Sequence, residues 1–254
     1  MHRYESSAHD VLDNPLWACV RGVGSPTVVF EAGGGEDSSV WAELEPEVRG
    51  RNRVRTMVYD RAGLGRSRPS PPPYRIDDEA EALRRELDRH RIEAPVVLVA
   101  HSYGGFVATI AAATDPRIAG VVLVDANLAD FFDDAQIERL LATYRAQFPA
   151  LEQAAPELAQ VMIPLIEAYP ATVARVGQVE IPAATPIVDI VAERTWVETT
   201  EEIEAIRRAH SDFVAASPQR RAVFAEGSSH HVMLDRPDVV LDAVAQLVAT
   251  VRAR

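Results

Sequence analysis

The stretch Val96-Val97-Leu98-Val99-Ala100-His101-Ser102-Tyr103-Gly104-Gly105 decides the fold. Its five leading apolar residues are what a parallel strand covered on both faces requires. They run straight into a small-X-Ser-X-Gly turn, Ala100 to Gly104, and helical periodicity follows to about Thr114. Strand, tight turn and helix in that order raise the Ser102 hydroxyl above the C-terminal edge of a sheet. The helix start beside it offers free N–H groups and a positive dipole end to developing negative charge. The competing reading is a serine that only caps the helix.

Outward from this stretch the same rhythm repeats. Residues 16–20 and 27–30 read as strands around a Gly/Pro turn at 22–26, and 54–59 as another strand. Residues 38–48 and 77–90 read as helices, the second after a proline-rich loop at 69–73. Residues 121–124 form the next apolar strand. Alternating strands and helices predict an α/β fold: a mostly parallel sheet with helices on both faces. After Asp125 the pattern changes. Residues 128–180 are helical in period, and Pro149, Pro156, Pro164 and Pro170 are expected to cut them into short helices. Strand patterns resume at 186–192 and 221–225, and a closing helix spans 237–251. The organisation expected is therefore a core from 1–127 and 181–254, interrupted by a helical cap at 128–180.

Composition narrows the function. The chain has 254 residues, 38 acidic and 26 basic, for a net charge of −12, and every basic residue is arginine. That balance argues against nucleic acid as a partner, because phosphate neutralisation needs basic patches. A single cysteine, Cys19, makes neither an internal disulfide nor a zinc cluster. Residues 1–13 are polar, without the apolar core of a signal peptide, and no apolar run is long enough to span a membrane. A cytoplasmic protein without a membrane partner is the expectation. Nothing in the sequence sets its oligomeric state.

The residues around Ser102 resemble the α/β-hydrolase superfamily, and the resemblance covers nearly the whole chain. Ala100 departs from the glycine usual there but remains small. Val28-Val29-Phe30-Glu31-Ala32-Gly33-Gly34-Gly35 stands where family members carry their oxyanion loop. Asp60-Arg61-Ala62-Gly63-Leu64-Gly65-Arg66-Ser67 is similar to the family's D-R-x-G-x-G-x-S loop. Gly227 to Pro237 is similar to the stretch holding the catalytic histidine.

The resemblance implies Ser102 as nucleophile and His230 as general base, five residues before Asp235 of an L-D-x-P pattern; His231 is then a neighbour that packs or lines the site. The acid is open between two positions. Many members carry it in a turn where this chain has Thr195, beside Glu193; others carry it at the end of the earlier strand, where this chain has Asp125. Asp125 is the preferred reading. The oxyanion donors implied are the N–H groups of Tyr103 and Gly34. Read alone, the glycines are a flexible turn or a phosphate loop, although neither the Rossmann nor the Walker spacing fits. His101 is expected on the pocket wall, and His2, His9, His90 and His210 in solvent. Phe131, Phe132 and Tyr144 are candidate pocket residues. Arg145 or Arg175 is a candidate partner for a substrate carboxylate.

No metal or organic cofactor is implied. The activity expected is hydrolysis of a small, hydrophobic ester or lactone. An amidase of the proline iminopeptidase type, a lyase and a ligand-binding relative use the same fold. A dehalogenase is disfavoured, since its nucleophile position needs Asp where this chain has Ser102.

Overall fold

The structure is a computed structural model that describes residues 15–254. The polar start of the chain, with His2 and His9, lies outside the described residues. Among the described residues seven strands form one sheet: β1 (Ala18–Arg21), β2 (Thr27–Glu31), β3 (Arg55–Tyr59), β4 (Val96–His101), β5 (Ile118–Val124), β6 (Ile187–Ala192) and β7 (Arg220–Ala225). Their order is β1-β3-β2-β4-β5-β6-β7, parallel throughout except for β1, which runs antiparallel to β3 at the edge. The strands that read as unbroken apolar runs occupy the middle. All of β4 and β2 is buried.

Side chains alternate between the two faces along each central strand. Val97 and Val99 of β4 join Val28, Phe30, Val122 and Val124 on one face. There they meet helix α1 (Leu44–Asn52) and the closing helix α9 (Pro237–Arg252). Leu98 and Ala100 join Val29, Val121 and Leu123 on the other, against α2 (Ile76–Arg89) and α3 (Gly104–Thr114). The expected helix at 38–48 is instead a 3-10 turn, Ser38–Trp41, followed by α1.

Beyond β5 the chain makes a 3-10 turn at Ala129–Phe131 and three helices, α4 (Asp134–Ala154), α5 (Pro156–Glu167) and α6 (Tyr169–Val176). Pro156 and Pro170 stand in first turns, where a missing N–H costs nothing. Pro149 and Pro164 lie inside helices rather than ending them, so the stretch has fewer breaks than prolines. These helices pack on Phe106 and Ile110 of α3 through Leu165, Ile166, Tyr169 and Val173.

A further helix, α7 (Thr200–Ala215), joins the same cluster through Ile206 and Ala209. The sequence reading missed it, although Thr199 caps its start: the Glu202 N–H donates to Thr199 Oγ1 (3.2 Å), and that hydroxyl donates to Glu202 Oε2 (2.7 Å). α7 also corrects the placement of His210, which is not solvated. Only 2% of it is exposed, and its Nδ1 meets the buried Asp189 Oδ2 at 2.8 Å. A short helix, α8 (Val232–Asp235), completes the chain before α9.

Candidate active site

Ser102 stands between β4 and α3 at φ 51°, a left-handed conformation that non-glycine residues rarely adopt. The turn holds because its backbone groups are used: Ser102 N–H donates to Val124 O (3.2 Å), and its carbonyl accepts from Asn127 N–H and Gly105 N–H, both at 2.9 Å. The glycines after it answer to close packing. A Cβ on Gly104 would stand 2.6 Å from Ala32 O, and one on Gly105 2.7 Å from Ala126 Cβ.

Asp125, the residue after β5, also has a positive φ, 41°. Its side chain is 1% exposed, and Oδ2 lies 2.6 Å from His230 Nδ1. Oδ1 accepts from the Ala192 N–H (3.0 Å), and Oδ2 also from the Thr195 hydroxyl (2.9 Å). Burial alone would raise this carboxyl. The hydrogen bonds from His230, Ala192 and Thr195 outweigh it and hold the group below the ordinary carboxylate range, so it stays an anion. Glu193 faces elsewhere and accepts from the Gly227 N–H at 2.6 Å.

The adjacent histidines divide between two acids. His230 turns to Asp125, whereas His231 Nε2 meets Glu36 Oε1 at 2.8 Å. Glu36 went unread in the sequence; the signal was an acid directly after three glycines. Its other oxygen accepts from the Gly33 N–H and faces His101 Nδ1, both at 2.8 Å. These contacts overcome the penalty of burial and hold the Glu36 carboxyl down at about 2. His101, 1% exposed, is pushed the other way, its pKa lowered by burial, and its Nε2 lies 3.1 Å from the His230 carbonyl. Its ring centroid is 4.5 Å from that of His230.

Ser102, His230 and His101 border a common cavity of about 210 Å³. Gly33, Gly34 and Tyr103 border it from the sheet edge. Leu140, Tyr144, Met162, Leu165, Ile166 and Tyr169 of α4 to α6 close the opposite side. Neither the Gly34 nor the Tyr103 N–H has an acceptor among the described residues. Two free amide donors thus border the cavity that holds the serine.

Of the three aromatic candidates, Tyr144 borders this cavity; Phe131 and Phe132 are not among the lining residues. The turn at Ala129–Phe131 directs both rings inward, where Phe132 stacks on Trp196 and also meets Phe106 and Tyr169. No arginine borders the cavity among the described residues. Arg145 pairs with Glu167 (2.7 Å) and Arg175 with Asp77 (2.9 Å), so neither waits for a substrate carboxylate. A larger cavity, about 330 Å³, lies under residues 69–75 against α2 and α5, but neither Ser102 nor a histidine lines it. No group of three or more His, Cys, Asp or Glu among the described residues is placed to hold a metal ion.

The Alpha/beta hydrolase family model matches residues 28–243. A Bacillus subtilis (strain 168) protein, YqjL, is 27% identical over 221 residues, spanning 87% of this chain and 82% of its own. Among solved structures, a thermophilic esterase from Thermogutta terrifontis superposes with a TM-score of 0.63 at 21% identity, covering 93% of each chain. The enol-lactonase from Burkholderia xenovorans LB400 superposes at 0.61 and 17% identity, over 92% of this chain and 96% of its own. At such identities these two likenesses speak for a shared fold. With the family pattern matched from the first central strand into the last helix, this chain belongs to the alpha/beta hydrolase family.

Proposed function

We propose that the protein is a serine hydrolase that cleaves a small, uncharged ester or lactone through an acyl-enzyme. The observation that carries this reading is the 2.6 Å contact between His230 Nδ1 and the buried Asp125 carboxylate, in a site where Ser102 and His230 share one cavity. Asp125 holds the proton on Nδ1, which leaves Nε2 free to take the Ser102 proton. The Ser102 oxygen then adds to the substrate carbonyl. The resulting oxyanion is received by the N–H groups of Gly34 and Tyr103, and His230 returns the proton to the leaving oxygen. Water, activated by the same imidazole, releases the acyl group.

The cavity supports the substrate class. Its far wall is largely apolar, supplied by α4 to α6 acting as a cap, and no cationic side chain among the described residues offers a substrate carboxylate a partner. An aminopeptidase needs an acid for the substrate amine. The carboxylate in the wall, Glu36, is already engaged with Gly33, His101 and His231. An esterase and an enol-lactonase are among the proteins that share the fold.

The test is a panel of activated esters, lactones and aminoacyl arylamides, with Ser102→Ala as control. Ester or lactone turnover is expected in the wild type and a loss of ~10³–10⁶ in kcat in the variant. A fluorophosphonate is expected to label Ser102 alone. Turnover retained by Ser102→Ala removes the proposal.

A further inference from the structure

We propose that Arg61 is a positioning residue for the oxyanion hole, fixing the Gly33–Gly34 peptide so that the Gly34 N–H faces the reaction site. The inference rests on the reading above that Gly34 and Tyr103 receive the oxyanion.

A trans peptide unit is planar, so its C=O and N–H point in opposite directions. Whatever grips the Gly33 carbonyl therefore aims the Gly34 N–H. Arg61 Nη2 donates to Gly33 O at 2.6 Å, and its Nη1 donates to Ala32 O at 2.7 Å. One rigid guanidinium thus spans two successive carbonyls of the loop. The grip matters because the segment is Gly33-Gly34-Gly35, without a Cβ to restrict its torsions. Glu36 completes the hold by accepting from the Gly33 N–H. Both backbone groups of Gly33 are then taken by charged side chains, and the N–H of Gly34 is the donor left over. Arg61 also lies 5.7 Å from the centroid of the Tyr103 ring, so it supports the residue that carries the second donor.

Packing does not account for this arginine. It is 3% exposed, and its charge is met by Glu31, itself 1% exposed, at 2.5 Å. A buried ion pair is poor value for stability, since apolar residues of similar volume usually serve as well. Burial would lower the Arg61 pKa, but Glu31 and Glu79 outweigh it and keep the guanidinium charged. Arg61 does not border the cavity, so it acts through the peptide and not on the substrate. Lysine would not replace it, because a single ammonium cannot span the same two carbonyls in a planar fork.

The experiment compares an aryl ester with its thionoester, in which sulfur replaces the carbonyl oxygen. Sulfur is larger and a weaker acceptor, so a well-ordered oxyanion hole favours the oxygen substrate. The ratio of the two kcat/KM values is independent of the folded fraction of a preparation, so loss of folded protein alone leaves it unchanged. For Arg61→Gln, ester kcat is expected to fall ~10–10²-fold with KM little changed, part of what removing a donor outright costs. The thionoester rate is expected to fall less, so the ratio drops several-fold. Arg61→Lys, which keeps the charge beside Glu31, is expected to shift the ratio the same way and carries the test if Arg61→Gln does not fold. A ratio unchanged from wild type in the folded variants overturns the proposal, whatever the loss of rate. Wild-type turnover in Ser102→Ala would instead remove the reading of the site beneath it, and the inference with it.

Discussion

Asp125 brings two demands into conflict at one residue. Its backbone takes a positive φ, which costs an ordinary side chain about 1–3 kcal/mol, and its carboxylate is buried. Three donors on separate segments compensate: His230, the Ala192 N–H at the end of β6 and the Thr195 hydroxyl beyond it. Asp125→Asn keeps the shape but turns an acceptor into a possible donor, so the imidazole is held in the wrong tautomer. A fall of ~10⁴ in kcat is expected. Glu193→Gln is expected to leave kcat nearly unchanged, because that carboxylate serves the Gly227 N–H on the surface. Steady-state kinetics on the two variants separate the assignments, and the reverse ranking would move the acid to Glu193.

At the scale of elements, α7 is tied to the sheet by a buried ion pair rather than by apolar contacts alone. Burial would lower the His210 pKa, but the hydrogen bond and charge of Asp189 outweigh it and raise the imidazole above its ordinary value. The sign follows from linkage. A histidine raised on folding contributes stability that is complete below its unfolded pKa, about 6.5, and is lost as pH rises through the folded one. His210→Leu leaves Asp189 buried without its donor and is expected to cost about 3–5 kcal/mol at pH 6. The gap to wild type, measured by urea unfolding, is expected to narrow by pH 9. A gap that stays constant over that range would mean His210 is neutral throughout. The sequence misplaced this residue for a physical reason: the helix around it is rich in Glu and Arg, and only its partner on a distant strand makes burial affordable.

Across the whole molecule, what was legible and what was not follows contact order. The central strands, the serine turn and the two residues that meet as His230 and Asp125 each leave a local mark: an apolar run, a small residue, a fixed interval to Asp235, an acid at a strand tip. Arg61 and Thr195 were placed by motif and interval, but what they touch, like the whole of Glu36's part, appears only once loops far apart in sequence meet. Phe131 and Phe132 were readable as apolar, but their inward orientation depends on the turn at Ala129–Phe131 and on distant rings such as Phe106, Tyr169 and Trp196. Glu36 shows the cost of such long-range ties. Its carboxyl, held at about 2 against an ordinary value near 4.3, contributes stability present above that ordinary value and lost as pH falls toward 2. Glu36→Gln is expected to narrow the stability margin by at most about 3 kcal/mol at pH 6, at 1.36 kcal/mol per pH unit. The difference from wild type is expected to shrink between pH 5 and 3; thermal unfolding at those values that shows a constant offset would deny Glu36 this role.

Thr195 ties a second loop to the site. Its hydroxyl reaches the same Asp125 oxygen that holds His230, so the loops after β5 and β6 converge on one carboxylate. A carboxylate at 195 beside Asp125 would set two like charges against each other, so one of the pair would hold a proton. The threonine instead feeds a neutral hydrogen bond into the arrangement. An anion at one position and an uncharged donor at the other is the combination that leaves a buried carboxylate ionised.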